Sequence, residues 1–239
     1  MTAPIANPLA GLRGGLIVSI QTHRENPLHG DDHVVALARA AELGGAAAVR
    51  VDSVRQIRLV SAATGLPLVG IHTRIFPDSP VQLTPTFACA KAVVEAGAGI
   101  VSVDGTDRPR PGGESFVEIV RRIHDELGVP VIADVSSLEQ GIAARDAGAD
   151  AVGSAVEGYE GFGTREPDIA LVAALAARLD CPVIAERYYT ADSQVAAAME
   201  AGAHAVVVGS AITDLTIAVR HLAEIVHTAG SSSSGRPHT

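Results

Sequence analysis

The stretch Ala203-His-Ala-Val-Val-Val-Gly-Ser-Ala-Ile-Thr213 decides the fold once it is compared with the segments before it. Its run of three valines predicts a short buried strand that ends at Gly209-Ser210, and a helical pattern begins near Thr213. A strand, a glycine and a helix start form a site for an anion, because the first N–H groups of a helix lack partners within it. The segment Cys181-Pro-Val-Ile-Ala-Glu-Arg187 has a similar form, with a charged corner after the strand. We therefore predict that these two corners bind phosphate, as the loops after strands seven and eight do in a (β/α)8 barrel.

One kind of helix-to-strand junction occurs four times along the chain. Each copy holds a helix end, a glycine suited to a left-handed helix cap, a tight turn and a buried strand. The cap glycines are Gly44, Gly97, Gly148 and Gly202. A second kind of junction, in which a proline precedes the strand, lies between these copies at 65–71, 128–134 and 180–186. The two kinds alternate, so the repeat is a pair of βα units, and the strand pattern at 15–21 completes a set of eight.

This alternation predicts the fold class. Short apolar strands that alternate with amphipathic helices predict a parallel sheet, and eight such units predict an α/β protein with a closed (β/α)8 TIM barrel of the ribulose-phosphate-binding type. We expect one TIM-barrel domain over residues 1–228, and a low-complexity, disordered tail at 229–239. The strands are expected near 15–20, 47–51, 67–71, 100–104, 131–134, 151–154, 182–186 and 205–209. The helices are expected near 33–44, 53–63, 86–96, 115–127, 137–147, 168–179, 192–201 and 213–226.

The composition favours such a barrel and argues against two classes of partner. Apolar residues make up 47% of the 239 residues but aromatic residues only 3%, so the core must consist mainly of Ala, Val, Ile and Leu. These small and branched side chains suit a parallel sheet covered by helices. The formal net charge of −9 argues against a nucleic-acid surface or an anionic membrane as a partner. A phosphate ligand remains compatible, because it needs only a local positive charge.

Cysteine and histidine usage points to a reducing compartment and to no metal site. Cys89 and Cys181 lie far apart in the sequence and are expected to be small buried hydrophobes. The first fifteen residues lack the apolar region of a signal peptide, so we expect a cytoplasmic protein. His23, His29 and His33 precede or flank a helix start, but their spacing matches no metal site and we predict none.

Polar residues follow most of the predicted strands, at the end where this fold carries its catalytic groups. Ordinary loops also begin with polar residues, so the argument rests on the complete ring and not on one position. The ring consists of Gln21, Arg50, His72-Thr73-Arg74, Asp104-Gly-Thr106, Asp134, Ser154, Glu186-Arg187 and Gly209-Ser210.

Three charged residues of this ring invite a chemical interpretation. A guanidinium buried at Arg50 requires an anionic partner, which is either a substrate or one of Asp52 and Glu186. Asp134 and Glu186 each follow the sequence Val-Ile-Ala, and a carboxyl there either transfers protons or pairs with an arginine. The basic loop 104–111 is either a lid or a solvated turn.

Four segments of the chain resemble the N-acetylmannosamine-6-phosphate 2-epimerase family. They are 14–21, the stretch from Asp78, Val103-Asp-Gly-Thr-Asp-Arg-Pro-Arg-Pro111 and 206–213, and their order and spacing match. The resemblance covers about 14–226. It implies a TIM barrel that interconverts N-acetylmannosamine 6-phosphate and N-acetylglucosamine 6-phosphate without a cofactor.

The resemblance also implies roles for individual residues. The residues that fall on family positions are Gln21, Arg50, Asp134 and Glu186, with Gly209-Ser210 on the phosphate corner. Charge and position add Arg74, Asp104 and Tyr159 as expected substrate contacts and Arg187 as an expected phosphate contact. The expected partner is a small phosphosugar, and a homodimer is expected from the resemblance alone.

Three departures from the family pattern bear on catalysis. Thr73 stands where the family has its acid/base lysine, Ile75 replaces an aspartate, and Lys91, the only lysine of the chain, falls on an outer helix. A glycine expected after Glu186 is missing, which suggests a deletion before Arg187. The third departure is the run 153–159, which brings Glu157 towards the predicted site.

Removing the C2 proton of the sugar requires a base within about 3 Å and a group that stabilises the oxyanion. Threonine is not basic near neutral pH, so Thr73 is retained only as a catalytic-site position. His72 has a suitable pKa range, although neighbouring strand residues point to opposite faces. Glu186, Asp134 and Glu157 are the other candidates for the base. Another isomerisation or carbon–carbon reaction on a related sugar, and binding without catalysis, remain open alternatives.

Overall fold

The computed structural model describes residues 8–21, 26–155 and 166–233, and in these ranges eight parallel strands form a closed barrel. Each strand pairs with its neighbours in the chain, and the last pairs with the first. The strands are β1 Gly15–Ile20, β2 Ala48–Asp52, β3 Leu68–Ile71, β4 Ile100–Asp104, β5 Val131–Asp134, β6 Ala151–Gly153, β7 Val183–Ala185 and β8 Ala205–Val208. The predicted TIM barrel is therefore confirmed.

Helices cover the outside of the barrel and follow the strands in the expected order. They are α1 Asp31–Leu43, α2 Val54–Ala63, α3 Phe87–Glu95, α4 Phe116–Arg122 with a π-helical continuation Ile123–Leu127, α5 Leu138–Asp146, α6 Ile169–Arg178, α7 Asp192–Glu200, α8 Ser210–Thr213 and α9 Leu215–Ser233. Side-chain oxygens at five helix starts accept a backbone N–H three residues on, which satisfies groups that would otherwise lack a partner. The capping residues are Ser53, Thr86, Ser115, Ser137 and Asp168.

Two details differ from the sequence-based expectations. The left-handed residue after α1 is Gly45, with φ 82°, whereas Gly44 has φ −77° and continues the helical conformation. The pair of glycines allows the cap to fall one residue later than in the other three copies. The last helical pattern is divided at Asp214, so a short α8 precedes a long α9, which continues to Ser233.

The barrel interior is apolar at its amino end and polar above. Inward-facing residues such as Ile17, Val69 and Ile132 form one buried cluster with Leu9 and Leu12, which precede β1. Leu9 and Leu12 are 1% and 0% exposed, and the His204 ring Nε2 lies 2.9 Å from the Leu9 carbonyl oxygen. The N-terminal segment therefore closes the bottom of the barrel, and polar chemistry is confined to the level above.

Helix α9 projects its apolar residues away from the barrel. It packs mainly against α8, and Leu215, Val219, Leu222 and Val226 are each more than half exposed. These positions follow a four-three-four spacing, which places them along one stripe of the helix. Among the described helices, α9 included, none combines the length and the apolar content needed to cross a membrane.

Candidate active site

Arg50 lies between two carboxylates inside the upper half of the barrel. Its Nη2 donates to Asp134 Oδ2 over 2.8 Å, and its Nη1 forms an ion pair with Glu186 Oε1. Ser102 Oγ lies 2.9 Å from Asp134 Oδ1. Because parallel strands end at the same edge, β2, β4, β5 and β7 bring these four side chains together although they are far apart in the sequence.

The two carboxylates differ in their access to solvent. The Asp134 side chain is 1% exposed, whereas the Glu186 side chain is 13% exposed. A molecule that enters from the carboxyl end of the barrel therefore reaches Glu186 first. Asp134 lies beneath it, behind Arg50.

A small cavity lies next to this cluster within the barrel. Its volume is about 10 Å³, and its walls are Arg50, Ser102, Glu186 and five apolar side chains of the interior. Among the described residues, Arg50 Nε is buried and has no hydrogen-bond partner. A cavity of this size is close to the minimum needed for a single water molecule, which would accept from Nε.

The electrostatics of the cluster are set by burial. Loss of solvation raises the pKa of Asp134, and this effect outweighs the lowering influence of Arg50 and the Ser102 hydrogen bond. The neighbouring carboxylate of Asp104 raises the same pKa further.

His72 follows β3 on the side that faces the helices. Val69 belongs to the barrel interior, whereas a Cβ at Gly70 would contact Val93 and Ala98 of the outer layer. Continued alternation places the His72 ring on the outer side, so this ring faces away from the barrel axis. Burial lowers the pKa of His72, Asp52 opposes that shift, and its Nδ1 is buried without a partner among the described residues.

Thr73 and Arg74 lie at the mouth of the barrel. Both are exposed, and the N–H of Thr73 donates to Asp52 Oδ1 over 3.0 Å. The N–H of Arg74 donates to the Gln82 carbonyl over 2.9 Å, and a bridge between Thr73 and Leu83 closes a small hairpin. The hydroxyl predicted at the catalytic position therefore faces the space above the Arg50 cluster.

Asp104, predicted as a substrate contact, organises the basic loop that follows it. Its Oδ1 accepts from the N–H and the hydroxyl of Thr106 over 2.9 and 2.6 Å, and its Oδ2 accepts from Arg108 over 3.1 Å. Arg110 donates to the Asp104 carbonyl oxygen. The loop is thus held inward by its own acid, and Asp104 has little unused hydrogen-bonding capacity for a sugar.

The corner after β7 has an unusual backbone. Arg187 and Tyr188 have φ angles of 76° and 62°, in the left-handed region where glycine is favoured. Arg187 Nη1 donates to the Ala155 carbonyl over 2.9 Å, and Nη2 donates to the Tyr188 hydroxyl over 3.1 Å. The conformation favours replacement of the family glycine by Arg187 over the deletion suggested by the sequence.

The corner after β8 approaches β1 closely. A Cβ at Gly209 would lie 3.4 Å from Ser19 Cβ, and Thr213 Oγ1 donates to the Ser19 carbonyl over 3.1 Å. Ser210 begins α8 and is exposed, as is Gln21 directly after β1. These groups share one side of the barrel mouth.

Three positions named from the sequence lie outside the described residues, namely Tyr159, Glu157 and His23. Within the described part of the chain, no group of three His, Cys, Asp or Glu side chains is arranged to hold a metal ion. Sequence reasoning missed Ser102 as a member of the cluster, although a serine within the apolar strand Ile-Val-Ser-Val is a signal of an inward polar contact.

Comparison with known proteins gives one family over most of the chain. The family model described as "Putative N-acetylmannosamine-6-phosphate epimerase" matches residues 34–228. A protein of Thermosynechococcus vestitus described as "Putative N-acetylmannosamine-6-phosphate 2-epimerase" is 41% identical over 211 residues, 87% of this chain and 92% of the relative. A protein of Escherichia coli O9:H4 with the same description is 42% identical and covers 84% of this chain and 87% of its own length. The solved structure of the N-acetylmannosamine-6-phosphate 2-epimerase from Clostridium perfringens is 32% identical with a TM-score of 0.89, and the match covers 94% of this chain and 99% of that one.

Proposed function

The chain belongs to the N-acetylmannosamine-6-phosphate 2-epimerase family, and from this premise we propose that it interconverts N-acetylmannosamine 6-phosphate and N-acetylglucosamine 6-phosphate. The two sugars differ only in configuration at C2. The observation that carries the proposal on the structural side is the Arg50 cluster, which places a carboxylate at the catalytic end of the barrel.

We assign the base to Glu186. In the open-chain sugar the C2 proton lies next to a carbonyl, so its removal gives an enediolate, and return of a proton to the opposite face gives the epimer. Glu186 is partly exposed at the mouth and is ion-paired with Arg50, which favours its ionised, basic form. Asp134 has no comparable exposure, and His72 faces the helices.

The proposed reaction is tested by incubating each hexosamine 6-phosphate with the protein in deuterated water. We expect deuterium at C2 of both sugars and the same final ratio from either direction, detected by NMR and mass spectrometry. Absence of both exchange and epimer would contradict the proposal. Ligand-induced thermal stabilisation without exchange would then favour the binding-only alternative.

Arg187, Gly209 and Ser210 are proposed to hold the phosphate. The backbone N–H groups at the start of α8 and the guanidinium of Arg187 supply the donors. Replacing Arg187 by alanine is expected to weaken phosphosugar binding by about 1.5–3 kcal/mol, the range for hydrogen bonds to charged groups. Calorimetry of ligand binding checks this value. Arg178→Ala, at the exposed end of α6, is the matched control, and equal affinities of the two variants would remove Arg187 from the site.

The exposed stripe of α9 is proposed to pair with the same stripe of a second copy. An antiparallel, twofold pairing of two α9 helices centred on Leu222 places Arg220 of each copy opposite Glu224 of the other. It also buries Val219 and Val226, and such self-complementarity is what a homodimer requires.

Introduction of a charge at the centre of this stripe is expected to separate the copies. Leu222→Asp buries two like charges at the twofold axis, so light scattering should report a monomer mass. Leu43→Asp alters an even more exposed leucine on α1 and should leave the mass unchanged. A dimer that survives Leu222→Asp would rule out this pairing.

We propose a cytoplasmic location. Both cysteines are free thiols, and Cys89 is buried. Unpaired thiols are typical of reducing compartments.

A further inference from the structure

The buried cluster contains more acid than base. Arg50 is bonded to both Asp134 and Glu186, so one guanidinium serves two carboxyl groups. Asp104, which is paired in register with Asp134 across β4 and β5, has partners of its own in Arg108 and Arg110. If Asp134 and Glu186 were both ionised, the cluster would carry one uncompensated negative charge inside the barrel.

An uncompensated buried carboxylate is costly, and a proton removes the cost. The groups that face Asp134 are Arg50 on β2, Ser102 and Asp104 on β4 and, through Arg50, Glu186 on β7. From β6, Gly153 offers no side chain, and a Cβ there would lie 2.8 Å from Asp134 Oδ1. The proton belongs on the carboxyl with less access to water, which is Asp134 and not Glu186.

The hydrogen-bond geometry accommodates this proton at one atom. Oδ2 of Asp134 accepts from Arg50 Nη2, which leaves Oδ1 opposite Ser102 Oγ at 2.9 Å. A hydroxyl group accepts as readily as it donates, so a protonated Oδ1 can donate to Ser102 Oγ. Both oxygens are then satisfied in the neutral acid.

We propose that Asp134 is a protonated, neutral acid at neutral pH, and that its neutrality reserves the positive charge of Arg50 for Glu186. Asp134 is thus a positioning residue, which acts through Arg50 and does not touch the substrate. The assignment of a consequence for catalysis rests on the proposed function of Glu186, whereas the protonation state itself does not.

The protonation state is measured directly by infrared spectroscopy. At pH 7 we expect the carbonyl stretch of a protonated carboxylic acid, and we expect it to shift in protein that contains isotope-labelled aspartate. The band should be absent from Asp134→Asn and present in Glu186→Gln. A band that is missing from the wild type, or that is lost in Glu186→Gln and kept in Asp134→Asn, would overturn the proposal.

The pH dependence of stability gives a second readout with a defined sign. A carboxyl whose pKa is raised on folding binds more protons in the folded state, so the stability that it contributes is lost as pH rises from about 3.9 towards the folded pKa. Asp134→Asn lacks this loss, so its melting temperature relative to that of the wild type should increase with pH over this window. A decrease would show that Asp134 is ionised and paired with Arg50.

Turnover separates the two proposals. The amide of Asp134→Asn reproduces the neutral acid, with its oxygen towards Arg50 and its NH2 towards Ser102, so we expect kcat within about tenfold of the wild type, well short of the loss caused by removal of an acid/base group. A loss comparable to that of Glu186→Gln would contradict the positioning role. If no C2 exchange occurs in any variant, the proposed function fails, while the infrared band and the stability slope still decide the protonation state.

Discussion

Replacing Glu186 by glutamine is expected to lower kcat for C2 epimerisation by about 10²–10⁴-fold, the usual contribution of a general acid/base group. The amide has nearly the same shape but cannot accept the C2 proton. The hydrogen bond from Arg50 can be retained by the amide oxygen, so substrate affinity should change far less than kcat. Turnover and deuterium exchange at C2 are the measurements, with binding determined separately by calorimetry.

Glu200→Gln provides the control for this experiment. Glu200 ends α7 and is exposed on the outside of the barrel, so the same chemical change there should leave kcat unaffected. If Glu186→Gln retained wild-type exchange, Glu186 would not be the base. His72 and Thr73, on the neighbouring β3 corner, would then be the next positions to test.

Replacing Arg50 by methionine is expected to destabilise the protein by about 3–5 kcal/mol, the penalty for removing one partner of a buried ion pair. Methionine fills much of the space of the side chain but leaves Glu186 and Asp134 without their shared cation. Urea unfolding measures the change in the free energy of unfolding. The deficit should shrink at low pH, because protonation removes the charge that has lost its partner.

A surface arginine supplies the comparison. Arg55 pairs with Asp31, but 81% of its side chain is exposed, and Arg55→Met should therefore cost no more than about 1 kcal/mol. Adding Glu186→Gln to Arg50→Met should restore part of the lost stability, since the unpaired charge is then removed. An Arg50→Met protein as stable as the Arg55→Met protein would show that the buried charges are compensated in another way.

The strand order and the chemical type of the site were predictable because both leave local signals. Each βα junction carries its own glycine or proline, so the repeat reveals eight units without knowledge of any long-range contact. The inward polar residue at a strand end is equally local, and Arg50, Asp134 and Glu186 were identified in this way. The pairing of Arg50 with Glu186 had been one of two expected partners.

What the sequence did not predict depends on contacts between units. Whether Asp104 faces a substrate or its own loop depends on how Arg108 and Arg110 fold back, and local pattern does not contain that information. Ser102 was overlooked because a serine in a strand has no obligatory partner until β5 is placed beside it. The outward direction of His72 follows from the end of β3, which differs from the prediction by no residue, yet its burial depends on the outer helices.

The closed floor formed by Leu9 and Leu12 has a kinetic meaning. The amino end of the barrel offers no passage past these buried leucines, so a sugar phosphate that entered at the carboxyl end must leave by the same opening. Substrate and product are then mutually exclusive occupants of one doorway. Each hexosamine phosphate should inhibit conversion of the other competitively, and the net direction of flux is set by whichever one the cell removes.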